Sequence, residues 1–321
     1  MGSGVTDSST GGVTERKRHS GPVSFLIRLV KEKPLGTVGG VITLLLLLTG
    51  IFANFLAPYG MNEMIGPSLL GPSPEYWLGT DNLGRDLLTR IIFGARTSVI
   101  VGLVGTAMAT LISTIIGMLS GYFGGKFDMI VQRLVDAWLC FPTLLILMVL
   151  VSVTGPGLWT VIIVLGISCG IASTRVIRSA TMSIRENVYV QAAVAIGCST
   201  TRILTSHILP NIMAPIIVLF SILVPFIILT EAMLSFLGLG IPAPNASWGG
   251  MLSGSGRSYM FLNPWMAIWP GLALSIVVYG VNMFGDAVRD ILDPRLRGGV
   301  GRYGVKVKKE ATTKSDSTQK N

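Results

Sequence analysis

Residues 191–210 read QAAVAIGCSTTRILTSHILP and lie between two long apolar regions of the chain. The stretch begins with small apolar residues, continues through Gly197 into a polar run with one arginine and one histidine, and reaches Pro210. Polar backbone and side chains are not tolerated against lipid. We therefore expect this stretch to leave the hydrocarbon core and to meet water or another protein.

The composition of the whole chain is that of a membrane protein. Half of the 321 residues are hydrophobic and only 13% are charged, whereas about a quarter of the residues in a soluble domain are charged. Long apolar runs account for the difference, which indicates a polytopic membrane protein rather than a globule with a large core. The three cysteines form no CxxC pair, so we interpret them as packing residues.

Six apolar runs are long enough to cross a bilayer, because a hydrocarbon core of about 30 Å needs about 20 helical residues. They are residues 36–57, 97–119, 134–154, 157–174, 212–239 and 266–285. Lipid cannot satisfy unpaired backbone groups, so the predicted class is all-α. Residues 35–298 are predicted to form the membrane domain. The tails at 1–34 and 299–321 have the composition of disordered segments.

Positive charges predict the orientation of these spans. If the N-terminus is cytoplasmic, the outer segments hold only Arg85, Arg90, Arg96 and Arg257 of the 25 lysines and arginines. Lysine and arginine concentrate in cytoplasmic loops. Both termini are therefore predicted to be cytoplasmic, and the net charge of +9 needs no nucleic-acid partner.

No site for nucleotide or metal chemistry is visible in the sequence. The run SGYFGGKF resembles a phosphate loop, but Ser120 holds the first glycine position and Phe127 replaces the required Ser/Thr. HExxH and GxSxG motifs are also absent from the sequence. We therefore predict a chain that is not an enzyme and that binds no cofactor or metal itself.

Glycines and charges inside the spans suggest specific contacts. Small residues spaced by four, as at Gly117 and Gly121, permit close helix packing, either within this chain or against another. Glu231 should face the bundle interior or a water-filled path, because a charge facing lipid is costly. It is either a gate residue on a translocation path or a structural acid hydrogen-bonded to its surroundings. Asp128 and Asp136 are interpreted as members of a local ion-pair group with Arg133.

The loop at residues 175–208 alternates charged, polar and small residues. Asn187 and Gly197 are natural ends for short helices in this loop, and glycine supplies turns that a β-carbon hinders. Ala192, Ala193 and Gly197 are expected to form a bare surface on which side chains of another protein can pack. The loop therefore predicts a docking platform, with a simple solvated loop as the alternative.

This loop resembles the cytoplasmic loop of bacterial ABC-importer permeases, whose pattern is Glu-Ala-Ala, three residues, Gly, nine residues, Ile-x-Leu-Pro. The matching positions are Gln191, Ala192, Ala193, Gly197, Leu209 and Pro210, with glutamine standing for the acid. His207 stands for the isoleucine.

Three further stretches resemble the C-type permease subunit of dipeptide, oligopeptide and nickel importers. They are WLGTDNLGRDLLTRIIFGAR at 77–96, EAMLSFLGLGIPAPNASWGGML at 231–252 and GDAVRDILDPRLR at 285–297. The resemblance implies the six-helix fold of type I ABC importer permeases, with a cytoplasmic coupling helix that docks an ATPase. The coupling-loop candidates are Arg185, Glu186, Tyr189, Gln191, Ala192, Ala193, Gly197 and Pro210.

The resemblance also implies a complex and a location. The expected partners are a second permease subunit, two cytosolic ATPase subunits that hold ATP and Mg, and an extracytoplasmic substrate-binding protein. The complex would lie in the inner (cell) membrane of a bacterium or archaeon. The candidates for the translocation path or gate are Glu231, Ser235 and Trp248.

Dipeptides or oligopeptides are the favoured cargo. Nickel or a metal chelate, glutathione and oligosaccharides remain open alternatives within the same class. An ion-coupled carrier or channel is the alternative from a different class. Such a protein needs filter or relay residues inside the spans, and Glu231 alone is too little.

Overall fold

The computed structural model describes residues 22–292, and these residues form helices joined by turns, without a strand. The longer helices are α1 (Pro22–Glu32), α2 (Pro34–Ile51), α4 (Leu87–Phe123), α5 (Gly125–Leu139), α6 (Thr143–Thr154), α7 (Leu158–Arg185), α8 (Val188–Ala195), α10 (Met213–Phe236) and α13 (Trp265–Leu292). The short ones are α3 (Ala53–Leu56), α9 (Thr200–Arg202), α11 (Trp248–Leu252) and α12 (Gly254–Tyr259). A π-helical turn, Ile203–Ile208, and a 3₁₀ turn, Leu209–Ile212, lead into α10.

Five stretches are long and apolar enough to cross a membrane as single spans: α2, α4, α7, the stretch Thr200–Phe236 that contains α10, and α13. The pair α5 and α6 makes a sixth if the two helices count as one span. The all-α membrane class is therefore confirmed. α4 has 37 residues and extends about 55 Å, so it is longer than the bilayer core is thick.

The prediction of one continuous span at 134–154 is wrong. α5 and α6 meet at an angle of 87°, and Pro142, with ψ of 122°, lies in the extended region directly before α6. Proline lacks a backbone N–H and disfavours helical backbone at the residue before it. The apolar run therefore continues across Pro142, but the helical backbone does not.

The prediction of a disordered tail over residues 1–34 is wrong for its last part. α1 covers residues 22–32, and its Leu29 is buried against Ala287 and Ile291 at the end of α13. Lys33 pairs with Asp290 at 2.6 Å between Nζ and Oδ2. The remainder of that tail, the predicted tail 299–321 and the predicted domain limit at 298 lie outside the described residues.

The most extensive contact between two helices of the described bundle is that of α4 with α7. A β-carbon at Gly117 would lie 2.7 Å from the carbonyl oxygen of Thr174, and one at Gly121 would lie 2.7 Å from that of Arg178. Gly170 of α7 approaches α4 in the same way, with a β-carbon 3.0 Å from the carbonyl oxygen of Ala109. The glycine spacing therefore packs two helices of this chain against each other.

The two long connections that flank α10 lie at opposite ends of the bundle, because its 24 residues extend about 36 Å. We call these the 186–212 end and the 237–264 end. Residues 57–86 share the second of these ends, since Asn263 donates a hydrogen bond to the carbonyl oxygen of Leu70 at 3.0 Å.

The substitution Gly117→Ala tests the close packing of α4 on α7. We expect it to lower the free energy of unfolding by about 1–3 kcal/mol, because overpacking forces two helix backbones apart. Gly271→Ala in α13 is the matched control, since the nearest atom to its β-carbon would be 3.9 Å away. Thermal unfolding of the purified protein in detergent compares the two. Equal unfolding temperatures would contradict the packing described above.

Candidate functional site

The loop at the 186–212 end is a short helix fastened to the end of α7. Asn187 separates α7 from α8, and its side-chain amide donates to the carbonyl oxygens of Ser183 and Ile184 at 3.3 and 3.1 Å. Gln191 donates from Nε2 to the carbonyl oxygen of Glu186 at 3.1 Å. These bonds satisfy backbone carbonyls that a helix end leaves without partners. The loop therefore has a defined geometry relative to α7.

Gly197 ends this helix through its backbone conformation. Its φ is +81°, a region that glycine adopts without steric cost. Its N–H donates to the carbonyl oxygen of Val194 at 3.0 Å, and that of Cys198 donates to Ala193 at 3.1 Å. A β-carbon at Gly197 would meet nothing within 4 Å. The glycine is therefore required by the turn and not by a close neighbour within the described chain.

The small residues of the loop face in different directions. Ala192 and Gly197 are exposed, whereas Ala193 is 5% exposed and packs in the core beside Val190. The expectation that all three small residues form a bare surface is therefore wrong for Ala193. Its side chain packs into the core and holds α8 against the bundle. Among the other coupling-loop candidates, Arg185, Glu186, Tyr189 and Pro210 are exposed.

The two most exposed aliphatic residues of the loop were missed by the sequence interpretation. Val188 is 81% exposed and Ile196 is 80% exposed, one at each end of α8. Isolated loops do not gain stability from such side chains in water, whereas a partner protein can bury them. A β-branched apolar residue at each end of a small-residue helix is the signal that would have identified them.

A groove of about 750 Å³ lies between α8 and the end of α4. Tyr122, Arg185 and Gln191 are among its lining residues. The guanidinium carbon of Arg185 lies 6.0 Å from the centre of the Tyr122 ring, within the range of cation–π attraction. The groove therefore offers charged, amide and aromatic groups to a partner beside the exposed helix.

Ion pairs tie α5 to α7 near this loop. Arg178 of α7 donates two hydrogen bonds to the carboxylate of Asp128, through Nε and Nη2. Asp136 pairs with Arg175 of α7 and lies 3.6 Å from Arg133. The predicted local group is therefore a cross-link between two helices. Two-pronged arginine–carboxylate pairs fix orientation as well as distance.

Glu231 is buried near the 237–264 end, with 1% of its surface exposed. Its Oε1 accepts a hydrogen bond of 2.6 Å from the hydroxyl of Ser235, one helical turn further along α10. The backbone N–H of Ile241 donates to the oxygen of Ser235 at 3.2 Å. Glu231 thereby joins α10 to the segment that follows it.

Trp248 fastens the same segment to α4. It is 2% exposed, and its Nε1 donates to the carbonyl oxygen of Ile91 at 3.1 Å. A β-carbon at Gly94 would lie 2.7 Å from the indole ring. The structure thus brings the three path candidates, Glu231, Ser235 and Trp248, to one end of the bundle and buries all of them inside the chain.

Membrane-length helices, with an exposed short helix at one end, define a polytopic membrane protein. At the other end lie the buried hydrogen bonds of Glu231, Ser235 and Ile241, which we call the Glu231 clip. The chain belongs to the family of binding-protein-dependent transport system inner membrane components, whose pattern matches residues 113–298. The resemblance to C-type permease subunits of ABC importers is confirmed by its relatives.

One such relative is the dipeptide transport system permease protein DppC of Alkalihalophilus pseudofirmus, 41% identical over 84% of this chain and 88% of the relative. Another is the oligopeptide transport system permease protein OppC of Bacillus subtilis, 39% identical over 83% of this chain and 88% of its own. The glutathione transport system permease protein GsiD of Pectobacterium atrosepticum is 36% identical over 82% of this chain and 88% of the relative.

A solved structure shares the fold. A chain of the MetNI methionine ABC transporter, crystallised in inward-facing conformations, aligns with a TM-score of 0.52 and 16% identity. The alignment covers 64% of this chain and 96% of the other. At this identity the likeness establishes the fold alone, and it confirms the ABC importer permease fold.

The buried acid at 231 can be tested by substitution. We expect Glu231→Leu to lower the free energy of unfolding by about 1–3 kcal/mol, because the buried hydroxyl of Ser235 would lose its acceptor. Glu231→Gln keeps an acceptor oxygen and should lose much less. The matched control is Glu75→Leu at an exposed position, and thermal unfolding in detergent is the measurement. Wild-type stability of Glu231→Leu would show that the clip does not hold this end together.

Proposed function

We propose that this chain is a permease subunit of an ATP-driven importer of dipeptides or oligopeptides and forms half of its translocation path. The observation that carries the proposal is the similarity, over more than four-fifths of the chain, to permeases named for dipeptide and oligopeptide transport. The exposed short helix at the 186–212 end supports it, since a transport subunit without its own ATPase needs a docking element.

The docking element is the loop from Arg185 to Pro210. Its most exposed aliphatic residues, Val188 and Ile196, anchor α8 in a groove of a cytosolic ATPase subunit, and Gly197 provides the turn that returns the chain to the membrane. Ala192 lies between these anchors and lets the partner approach the helix backbone. Arg185, Glu186, Tyr189 and Gln191 form the polar side of the contact.

The motion of the ATPase reaches the spans through rigid links. α8 is tied to α7 by the Asn187 and Gln191 hydrogen bonds. α7 in turn holds α5 through the Arg178–Asp128 pair. α5 continues through Pro142 into α6, so displacement of the loop moves α7, α5 and α6 together.

The complex contains a second permease subunit, two ATPase subunits that bind ATP and Mg, and an extracytoplasmic substrate-binding protein. The distribution of lysine and arginine supports cytoplasmic termini in a bacterial or archaeal inner membrane. Labelling single cysteines from each side of the membrane, introduced at Ser183 and Ser258, tests this topology. If the cysteine introduced at position 258 is labelled only from the cytoplasmic side, the orientation is the reverse of the proposed one.

Glutathione is a second candidate cargo, because one relative is named for glutathione transport at 36% identity. Glutathione is itself a tripeptide with free carboxylates, so a peptide path suits it chemically. Competition between unlabelled glutathione and a labelled peptide in the uptake assay separates the two.

Aspartate substitutions test the docking loop. We expect Val188→Asp combined with Ile196→Asp to reduce co-purification of the ATPase subunits by at least about tenfold, since each buried aliphatic contributes about 1.5–3 kcal/mol. Ser258→Asp, at an exposed position of the other end, is the control. Unchanged co-purification of a normally folded double variant would remove these residues from the contact.

Reconstitution tests the transport function. The purified chain alone should hydrolyse no ATP, whereas proteoliposomes with all the proposed subunits should accumulate trialanine when ATP is supplied. The readouts are phosphate release and labelled peptide inside the vesicles. Robust ATPase activity of the chain by itself would contradict the proposed division of labour, and ATP hydrolysis without peptide accumulation would contradict the proposed cargo.

A further inference from the structure

A pocket of about 300 Å³ lies at the 237–264 end, next to the Glu231 clip. One wall is formed by the segment before α4 and its first turn, with Asp81, Arg85 and Arg90. The other wall comes from residues 238–245 and 250–254, where glycines leave the backbone bare. The volume suits the end of a small molecule and not a folded domain.

The lining of this pocket carries more positive than negative charge. Arg90 is 6% exposed and Asp81 is 3% exposed, while the side chain of Arg85 is 12% exposed. Within residues 22–292, Asp81 is the one carboxylate at ion-pair distance from either guanidinium, at 2.7 Å from Nε of Arg85 and 3.7 Å from Nε of Arg90. Two largely buried cations therefore share one anion.

The carboxylate of Asp81 has little capacity left. Its Oδ1 accepts hydrogen bonds from the backbone N–H groups of Leu83 and Arg85 at 2.8 and 3.0 Å. Its Oδ2 is taken by Arg85. The neighbouring acid Asp86 accepts from the N–H and hydroxyl of Thr89, and Glu231 accepts from the hydroxyl of Ser235. Among residues 22–292, these acids leave Arg90 with no carboxylate nearer than that of Asp81 at 3.7 Å.

Within the described part of the chain, the polar contacts of the Arg90 side chain are long. Its Nη1 lies 3.4 Å from the carbonyl oxygen of Met61 and 3.4 Å from Oδ1 of Asn62. Hydrogen bonds from a guanidinium to a carboxylate are normally about 2.7–2.9 Å. A buried charge without such partners is costly. A carboxylate that enters the pocket would complete the coordination of Arg90 and equalise the charges.

We propose that this pocket is a carboxylate-binding site that receives the terminal carboxylate of the peptide cargo, with Arg90 and Arg85 as its ligands. The inference rests on the proposed function, which assigns peptides as cargo. With cytoplasmic termini and the ATPase-docking loop at the 186–212 end, the 237–264 end faces the extracytoplasmic binding protein that delivers the cargo. Every linear peptide with a free C-terminus carries this group. The planar fork of arginine matches its two oxygens. The site selects peptides by a feature that is independent of their side chains.

The test is uptake of trialanine and of trialanine amide by the complete transporter in proteoliposomes. In the wild type, trialanine should be taken up faster than its amide. Arg90→Gln should lower this acid-to-amide ratio by about tenfold, the effect of one charged hydrogen bond. The wild type and Arg90→Gln are assayed with the same binding protein. Any preference of the binding protein for the acid or the amide therefore cancels when the acid-to-amide ratios of the two transporters are compared.

Arg257→Gln is the control, because Arg257 is an exposed arginine at the same end and does not line the pocket. It should leave the acid-to-amide ratio unchanged. If Arg90→Gln fails to assemble with the other subunits, Arg85→Gln is judged by the same ratio, since its side chain is the more exposed of the two.

Several results would overturn the inference. An unchanged acid-to-amide ratio in Arg90→Gln would exclude contact with the cargo carboxylate, as would a wild-type ratio of one. Equal loss of both peptides would assign Arg90 to folding or to an acidic side chain of the binding protein. A wild type that accumulates neither peptide with ATP would instead contradict the proposed function, and the inference would fall with it.

Discussion

The close approach of α4 and α7 is the contact on which the rest of the structure depends. Glycines at 117 and 121 let the α4 backbone reach the carbonyls of α7, and lipid offers no hydrophobic force that would bring two helices together otherwise. The contact sets the position of the end of α7. That position in turn allows Arg178 to reach Asp128 and places α8 beside the end of α4.

The two ends of the bundle use polar groups in opposite ways. At the 186–212 end the ion pairs are partly exposed and join α5 to α7, while aliphatic side chains such as Ile196 point outward. At the 237–264 end the polar groups of Glu231, Ser235 and Ser247 are buried. The first arrangement leaves a surface for a partner, whereas the second holds a connection firmly against the spans.

This difference has a physical cause. A buried carboxylate is stable only where donors surround it, so the connection around Glu231 must keep one conformation. Exposed apolar residues cost little in a free loop and contribute when a partner covers them. The fold therefore combines a rigid end, next to the proposed carboxylate pocket, with an end built to receive another protein.

The sequence by itself determined the helical membrane class, because apolar runs of bilayer length have no other stable solution in lipid. Its motifs also determined the family and indicated the loop at 191–210. Composition did not reveal the bend at Pro142 or the helix over residues 22–32. Only the tertiary structure decided that Ala193 faces inward, that the glycine stripe packs within this chain, and which donors meet Glu231. Those outcomes depend on residues far apart in the chain, and a local pattern of residue types does not specify which of them come into contact.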